Sequence, residues 1–209
     1  MKQLILTITT FFLVCGAHAQ FEGSASAGAC IIDRNNIEAG DCHQFSLGLG
    51  YEITERTTLT LAFNSLDGEM NGLNGAFGIS GDYDRSEFIL GARYDLALDL
   101  GKFQPYVGAG LGYGEISTQF SGYTEIDPMI RIFADGDLTS ALWAVRAGGE
   151  YPISPTVNLF TEFAYTQYLD NGIDIRFETA NGTIGELSPG GVKGEDRSYD
   201  FNFGIRIKF

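Results

Sequence analysis

Glu22, Glu52, Glu87, Asp95, Glu150, Glu162 and Asp200, with Arg93, Arg146, Arg206 and Lys208, recur at alternate positions in segments whose remaining positions are mostly apolar. In extended chain, residues two apart share a face, so carboxylates and guanidiniums would be gathered on one side of a sheet. Such a face could serve as an ion path or gate, or as a static network of paired charges. The static network is expected, because buried charge is tolerated only when it is partnered. The expected pairs are Arg146 or Arg93 with Glu162, and Arg206 with Glu52 or Glu150. Nucleophilic chemistry has poorer material. His43 is the only histidine after His18, and Ser46 stands three residues on. In a strand these two point to opposite faces, so no dyad forms and no catalytic residue is expected. Cys30 and Cys42 with one histidine are too few ligands for a zinc centre. Neither a metal nor a cofactor is expected.

The elements that would carry these residues are strands. From Arg197 to Phe209 the odd positions are Tyr199, Phe201, Phe203, Ile205, Ile207 and Phe209, whereas the even ones are polar or small. The same period of two runs through Gln44 to Ile53, Thr58 to Asn64, Glu87 to Leu98, Val107 to Gly114, Trp143 to Ile153 and Val157 to Thr166. Ile89 is an exception to its segment. Phe21 to Ala29 alternates weakly and supplies an eighth strand, since bacterial single-chain barrels have even strand numbers and a closed barrel leaves no edge in lipid. Each segment has about the ten residues a tilted strand needs to cross a bilayer. The expected fold is all-β: an eight-stranded antiparallel up-and-down transmembrane β-barrel with both ends on one side.

Connections alternate between short and long. Thr54 to Thr57, Asp99 to Lys102 and Ser154 to Thr156 are tight, while Ile31 to Asp41, Leu66 to Ser86, Ser117 to Ser140 and Asp170 to Asp196 are expected as long loops, each net acidic. Asp82, Asp84, Glu125, Asp127, Asp135 and Asp137 lack the spacing of a known calcium motif and read as a solvated acidic surface. Tyr51, Tyr94, Phe103, Tyr151 and Phe209 fall near the short-turn end of the outward face. Phe45, Phe88, Tyr113, Trp143, Tyr165 and Tyr199 fall nearer the other end, giving two aromatic girdles. Glycines at 108, 110, 112 and 114 leave space on the inner face for arginines to reach across.

Residues 1–19 read as a signal peptide: Lys2, the apolar stretch Leu4 to Val14, then Ala17-His18-Ala19 for cleavage. Val14 before Cys15 argues against a lipoprotein signal. Residues 20–209 then form one domain, carrying 27 acidic residues and all but one of the 13 basic residues. That balance excludes nucleic acid as a partner. Export makes Cys30 and Cys42, the two cysteines left, an expected disulfide. A soluble lipid carrier would also have eight strands, but it would turn its apolar face inward, where charges and glycine rows suit a packed lumen better.

The segment Phe201-Asn202-Phe203-Gly204-Ile205-Arg206-Ile207-Lys208-Phe209 and the segment Pro105-Tyr106-Val107-Gly108-Ala109-Gly110-Leu111-Gly112-Tyr113-Gly114 resemble the small outer-membrane barrel superfamily. That superfamily includes opacity-type proteins and the membrane domain of outer-membrane protein A. The resemblance covers the chain after the signal. It implies that Phe203, Ile205, Ile207 and Phe209 form the C-terminal signal read by the barrel-assembly machinery, and that outer-membrane lipid and lipopolysaccharide surround a monomer. The sequence departs from protein A in stopping at Phe209, so no peptidoglycan-binding domain is expected after the barrel. The superfamily shares a fold more firmly than a function. The expected role is a non-enzymatic barrel that supports the envelope and meets an extracellular ligand through its loops. A narrow ion or solute channel is the alternative, and a lipid A-modifying enzyme a third.

Overall fold

The computed structural model describes residues 20–34, 37–73, 77–124, 130–169, 175–179, 184–187 and 196–209. The expected signal segment 1–19 lies outside them. Eight strands make the barrel: β1 (Phe21–Arg34), β2 (Ile37–Thr54), β3 (Thr57–Leu73), β4 (Phe77–Asp95), β5 (Gln104–Thr124), β6 (Ile130–Pro152), β7 (Val157–Tyr168) and β10 (Asp196–Lys208). Each pairs antiparallel with the next, and β10 returns to β1 in continuous register from Glu22↔Lys208 to Arg34↔Asp196. The weakly alternating first strand is therefore paired on both sides. Closure leaves each of these eight described strands paired on both sides across the barrel, as hydrocarbon requires.

Side-chain direction follows the period of two. Leu47, Leu49, Leu61, Leu90, Leu111, Phe203 and Ile205 are exposed on the outer wall, whereas Ser198, Asp200, Asn202 and Arg206 on β10 are buried in the bore. Among the expected girdle residues, Tyr51, Tyr94, Tyr151 and Phe209 are exposed at one end and Phe45, Phe88 and Tyr113 towards the other. Trp143, Tyr165 and Tyr199 pack in a tilted row across β6, β7 and β10, with successive ring centroids 5.3 Å apart. Such tilted aromatic pairs add to the burial they provide each other. The prolines sit where ladders stop, Pro105 second in β5 and Pro152 last in β6.

The short turns are held by local side-chain acceptors. Thr54 Oγ1 accepts from the amides of Arg56 and Thr57 at 3.3 and 3.0 Å, and Ser154 Oγ accepts from those of Thr156 and Val157 at 3.3 and 3.1 Å. The third turn corrects an expectation. Leu96 and Leu98 are not part of a strand, because β4 ends at Asp95 and the chain reverses in the Leu100↔Phe103 bridge. Gly101 there has φ of 69°, a left-handed conformation that glycine adopts without a Cβ clash.

The long connections correct a larger one. Much of what reads as loop is strand: β5 and β6 run 21 and 23 residues, about twice what a bilayer crossing needs. Their ladder continues unbroken from Gln104↔Glu150 to Tyr123↔Arg131. Backbone pairing persists after the hydrophobic alternation fades, since beyond lipid the outer face no longer has to be apolar. Within the expected loop Asp170 to Asp196, β8 (Ile175–Thr179) and β9 (Ile184–Leu187) form a further hairpin. β8 pairs with Ile130–Ala134 of β6, on the edge that β7 leaves free after Tyr168↔Leu142.

Candidate functional site: the charged bore

Inward positions near the short-turn end place Glu22 on β1, Arg93 on β4, Glu150 on β6 and Arg206 on β10 around one point. Arg93 grips Glu22 with both terminal guanidinium nitrogens, Nη1 to Oε1 at 2.6 Å and Nη2 to Oε2 at 3.0 Å. It also approaches Glu150 at 3.3 Å. Arg206 pairs with Glu150 and lies 3.4 Å from Glu22. Two cations and two anions thus alternate, each in reach of both opposite charges. Asn158 donates to Glu150 at 2.6 Å, and Thr58 Oγ1 accepts from Arg93 at 3.3 Å. Desolvating such ions is costly, and the cost is offset here by the reciprocal pairing and by these added hydrogen bonds to Glu150 and Arg93.

Aromatic rings finish the plug. The Arg206 guanidinium lies 5.3 Å from the Tyr106 centroid and 4.7 Å from that of Phe160, and Arg93 lies 5.5 Å from Tyr106. Cation–π attraction strengthens away from water. The polar-or-small inner face expected for the last segment does not extend to every other strand. Tyr106, Phe160, Tyr168, Leu142, Leu66 and Ile116 are all buried in the bore, and so is Ile89. The inner glycines make space for rings and Ile89 as well as for arginines, since Gly108 and Gly110 line the same cavity as Arg93, Arg146 and Arg206. A Cβ at Gly114 would press into Tyr168 and one at Gly110 against Ile89, while one at Gly148 would meet the Thr161 carbonyl and then Tyr106, and one at Gly112 the Phe88 carbonyl and then Ile89.

A second cluster lies towards the long-hairpin end. Glu87 lies 2.9 Å from Arg85 Nε in an ion pair and accepts from Asn64 Nδ2 at 2.8 Å and from the Tyr168 hydroxyl at 2.7 Å. Arg85 donates to Ser198 at 3.0 Å and stands 3.8 Å from Asp200, while Ser198 donates to Asp200 at 3.3 Å. Arg85 is fully enclosed, and its guanidinium lies 5.5 Å from the Tyr168 ring centroid. Residue type alone does not place Arg85 in the bore, because Leu66 to Ser86 reads as loop. Its parity with Glu87 and Arg93 is the signal that does.

Between the clusters Arg146 Nη1 lies 3.8 Å from Glu162 Oε1, and the Tyr106 hydroxyl donates to Glu162 Oε2 at 3.1 Å. Arg93 instead goes to Glu22, Glu150 and Asp95. Glu52 pairs with Lys208 at 3.3 Å near the mouth, not with Arg206. Two small polar cavities of about 50 and 40 Å³ adjoin Arg146 and Glu162. His43 is exposed outside while Ser46 faces in and accepts from Gln44 Nε2 at 3.0 Å. Cys30 and Cys42 are joined in a disulfide between register partners, Cα atoms 5.2 Å apart. Phe203, Ile205, Ile207 and Phe209 are exposed on the outer wall, and the Phe209 amide donates to Phe21 O at 2.8 Å. Asp82 and Asp84 are exposed on β4, Asp135 and Asp137 fall on β6, and Glu125 and Asp127 lie outside the described residues.

The family model for the outer membrane protein beta-barrel domain matches residues 9–209. No curated relative matches the chain. Among solved structures the barrel is similar to neisserial surface protein A, at 20% identity and TM-score 0.56, covering 92% of this chain and 99% of that one. It is similar also to a major outer membrane protein of Thermus thermophilus, at 13% identity and TM-score 0.58, covering 92% and 100%. OprG of Pseudomonas aeruginosa gives 14% identity and TM-score 0.53 over 91% and 95%. At these identities the likeness is one of fold. With an apolar outer wall, a charged bore and a matching model over nearly its whole length, the chain belongs to the outer-membrane β-barrel domain family, and its place is the bacterial outer membrane.

Proposed function

We propose that the chain is a non-enzymatic, closed barrel that contributes to envelope integrity and presents acidic hairpins outside the cell. The observation behind this reading is the bore, where Arg85, Arg93, Arg146 and Arg206 each lie beside a carboxylate. An eight-stranded barrel is just wide enough for side chains to fill it. On this reading the short turns face the periplasm, and the prolonged hairpins carry exposed acids such as Asp82 and Asp84 outward. Carboxylates there suit divalent bridging to anionic lipopolysaccharide, or a basic extracellular ligand. Phe203, Ile205, Ile207 and Phe209 supply the outward face that the barrel-assembly machinery would read, and the barrel is a monomer.

The test separates barrel from hairpins. A deletion strain should become sensitive to detergent and large antibiotics. A version trimmed within 69–80, 118–136 and 175–187 should restore resistance while losing surface binding. Unchanged sensitivity in the deletion strain contradicts the envelope role. An altered acyl pattern of lipid A on expression contradicts the non-enzymatic one.

A further inference from the structure

The outer wall is unevenly clothed. β1 turns Gly23, Ala25, Ala27 and Ala29 outward, yet its register partners there are large: Ala25 lies between Ile205 and Leu47, and Gly23 between Ile207 and Leu49. All four flanking side chains are exposed. The result is an apolar groove of about 680 Å³ over β1, floored by Gly23 and Ala25 and reaching Leu61 on β3. Phe209 bounds its short-turn end, with the ring 3.5 Å from where a Cβ on Gly23 would stand. The β1–β10 ladder that closes the barrel runs beneath this groove with little side-chain cover.

Width, depth and charge decide what fills it. Neighbouring strands are about 4.8 Å apart, so the trough between the β10 and β2 side chains is one strand wide. An α-helix, about 10 Å across with its side chains, cannot enter, and the convex wall of a second barrel can only cap it. An extended hydrocarbon chain has the width of the missing side chains. The groove is continuous with the apolar wall that the outer membrane covers, so lipid reaches it without crossing water. Left empty, it would forfeit dispersion contacts along its lining. With a rise of about 3.3 Å per residue and a tilt of about 40°, the β2–β3 turn at Glu55 and Arg56 lies roughly 13 Å below Leu61. Half the hydrocarbon core is about 15 Å, so the turn reaches headgroup depth while the groove stays among the tails. Glu55 and Arg56 are exposed there, opposite charges that match the ammonium and phosphate of a zwitterionic headgroup.

We infer that the groove over β1 holds one acyl chain of a zwitterionic glycerophospholipid from the leaflet beside the short turns, with its headgroup on Glu55 and Arg56. The chain supplies the cover that Gly23 and Ala25 do not, and seals the seam where the barrel closes. Choosing a glycerophospholipid over lipopolysaccharide rests on the reading that the short turns face the periplasm, since lipopolysaccharide occupies the opposite leaflet.

The full chain should be refolded into vesicles of phosphatidylethanolamine and phosphatidylglycerol that carry a trace of phosphatidylethanolamine with a mid-chain diazirine. After illumination, adducts should concentrate several-fold on 23–25, 47–49 and 205–207 relative to the outward residues of β5 and β6. An even spread around the barrel overturns the proposal, and this arm needs no variant to fold. Ala25→Phe fills the trough from a lipid-facing position and should abolish the enrichment, whereas Ala109→Phe, exposed on β5, should leave it. Enrichment that survives Ala25→Phe overturns the groove as its cause. Protein taken from outer membranes in mild detergent should retain one glycerophospholipid by native mass spectrometry, and retained lipopolysaccharide instead contradicts the assignment. Labelling of a Lys102→Cys variant by an impermeant thiol reagent in intact cells would contradict the periplasmic orientation, and with it the choice of lipid. The crosslinks judge the groove separately.

Discussion

Arg93 on β4 and Glu22 on β1 face each other across the bore and share two hydrogen bonds, 2.6 and 3.0 Å long. The strands that carry them are not neighbours in the sheet, so the pair braces the barrel across its interior. Charge-assisted forks of this kind are the strong class of hydrogen bond.

Removing one partner should therefore be far worse than removing both. Glu22→Leu leaves Arg93 and Arg206 sharing Glu150, and should lower unfolding free energy by about 3–5 kcal/mol. Glu22→Leu with Arg93→Met leaves the Arg206 and Glu150 pair balanced and should recover most of that loss. Urea titration of vesicle-embedded protein measures both. Equal losses in single and double variants would show that the fork is not a coupled unit.

Gly114 should be intolerant for a reason located in Tyr168. A valine at 114 would push into the Tyr168 ring, whose hydroxyl donates to Glu87 at 2.7 Å. Gly114→Val should cost about 1–3 kcal/mol, typical of overpacking. Adding Tyr168→Leu should return part of it. An unaffected midpoint in the single variant would mean that the ring moves without penalty.

The disulfide should act on the first hairpin rather than on the barrel. Cys30 and Cys42 close a segment with a sequence separation of 12. Reduction should cost about 2–3 kcal/mol on the chain-entropy account. Protease should then cut between 31 and 41 while the remaining chain keeps heat-modifiable mobility. Loss of that mobility on reduction would contradict the local role.

Depth in the membrane should set the cost of charge on β10. Phe203→Arg, near the middle of an outward row, should cost about 2–4 kcal/mol, and Phe209→Arg at the strand end about 0–1 kcal/mol. Refolding into vesicles at varied urea gives both values. Equal penalties would displace the hydrocarbon belt from its assigned height.

How much of the barrel can be read before any coordinates depends on how strictly lipid enforces alternation. On β10 from Tyr199 onward and on the lower half of β2 every outward residue must be apolar, and those stretches are legible residue by residue. β1 is faint because Gly23, Ala25, Ala27 and Ala29 are small enough to suit either face. Residue type alone oversimplifies the bore. An apolar side chain suggests the outer wall, yet Tyr106, Phe160 and Tyr168 sit inward as stacking and hydrogen-bonding partners of the arginines and glutamates. Their parity with Gly108, Glu162 and Thr166 carries the information that residue type obscures. Beyond the bilayer the constraint on type disappears while backbone pairing continues, so the upper hairpins, Arg85 and the β8–β9 pair are not legible from hydrophobic pattern.

The closed bore is tested most directly by conductance across a planar bilayer. The native chain should give no steady ohmic steps. Glu22→Ala with Arg93→Ala should stay silent too, because Arg85, Glu87 and Tyr168 still fill the far end. Steady, voltage-independent steps from the native protein, reproduced by a Ser46→Cys variant and lost when that variant is treated with a thiol reagent, would contradict the account.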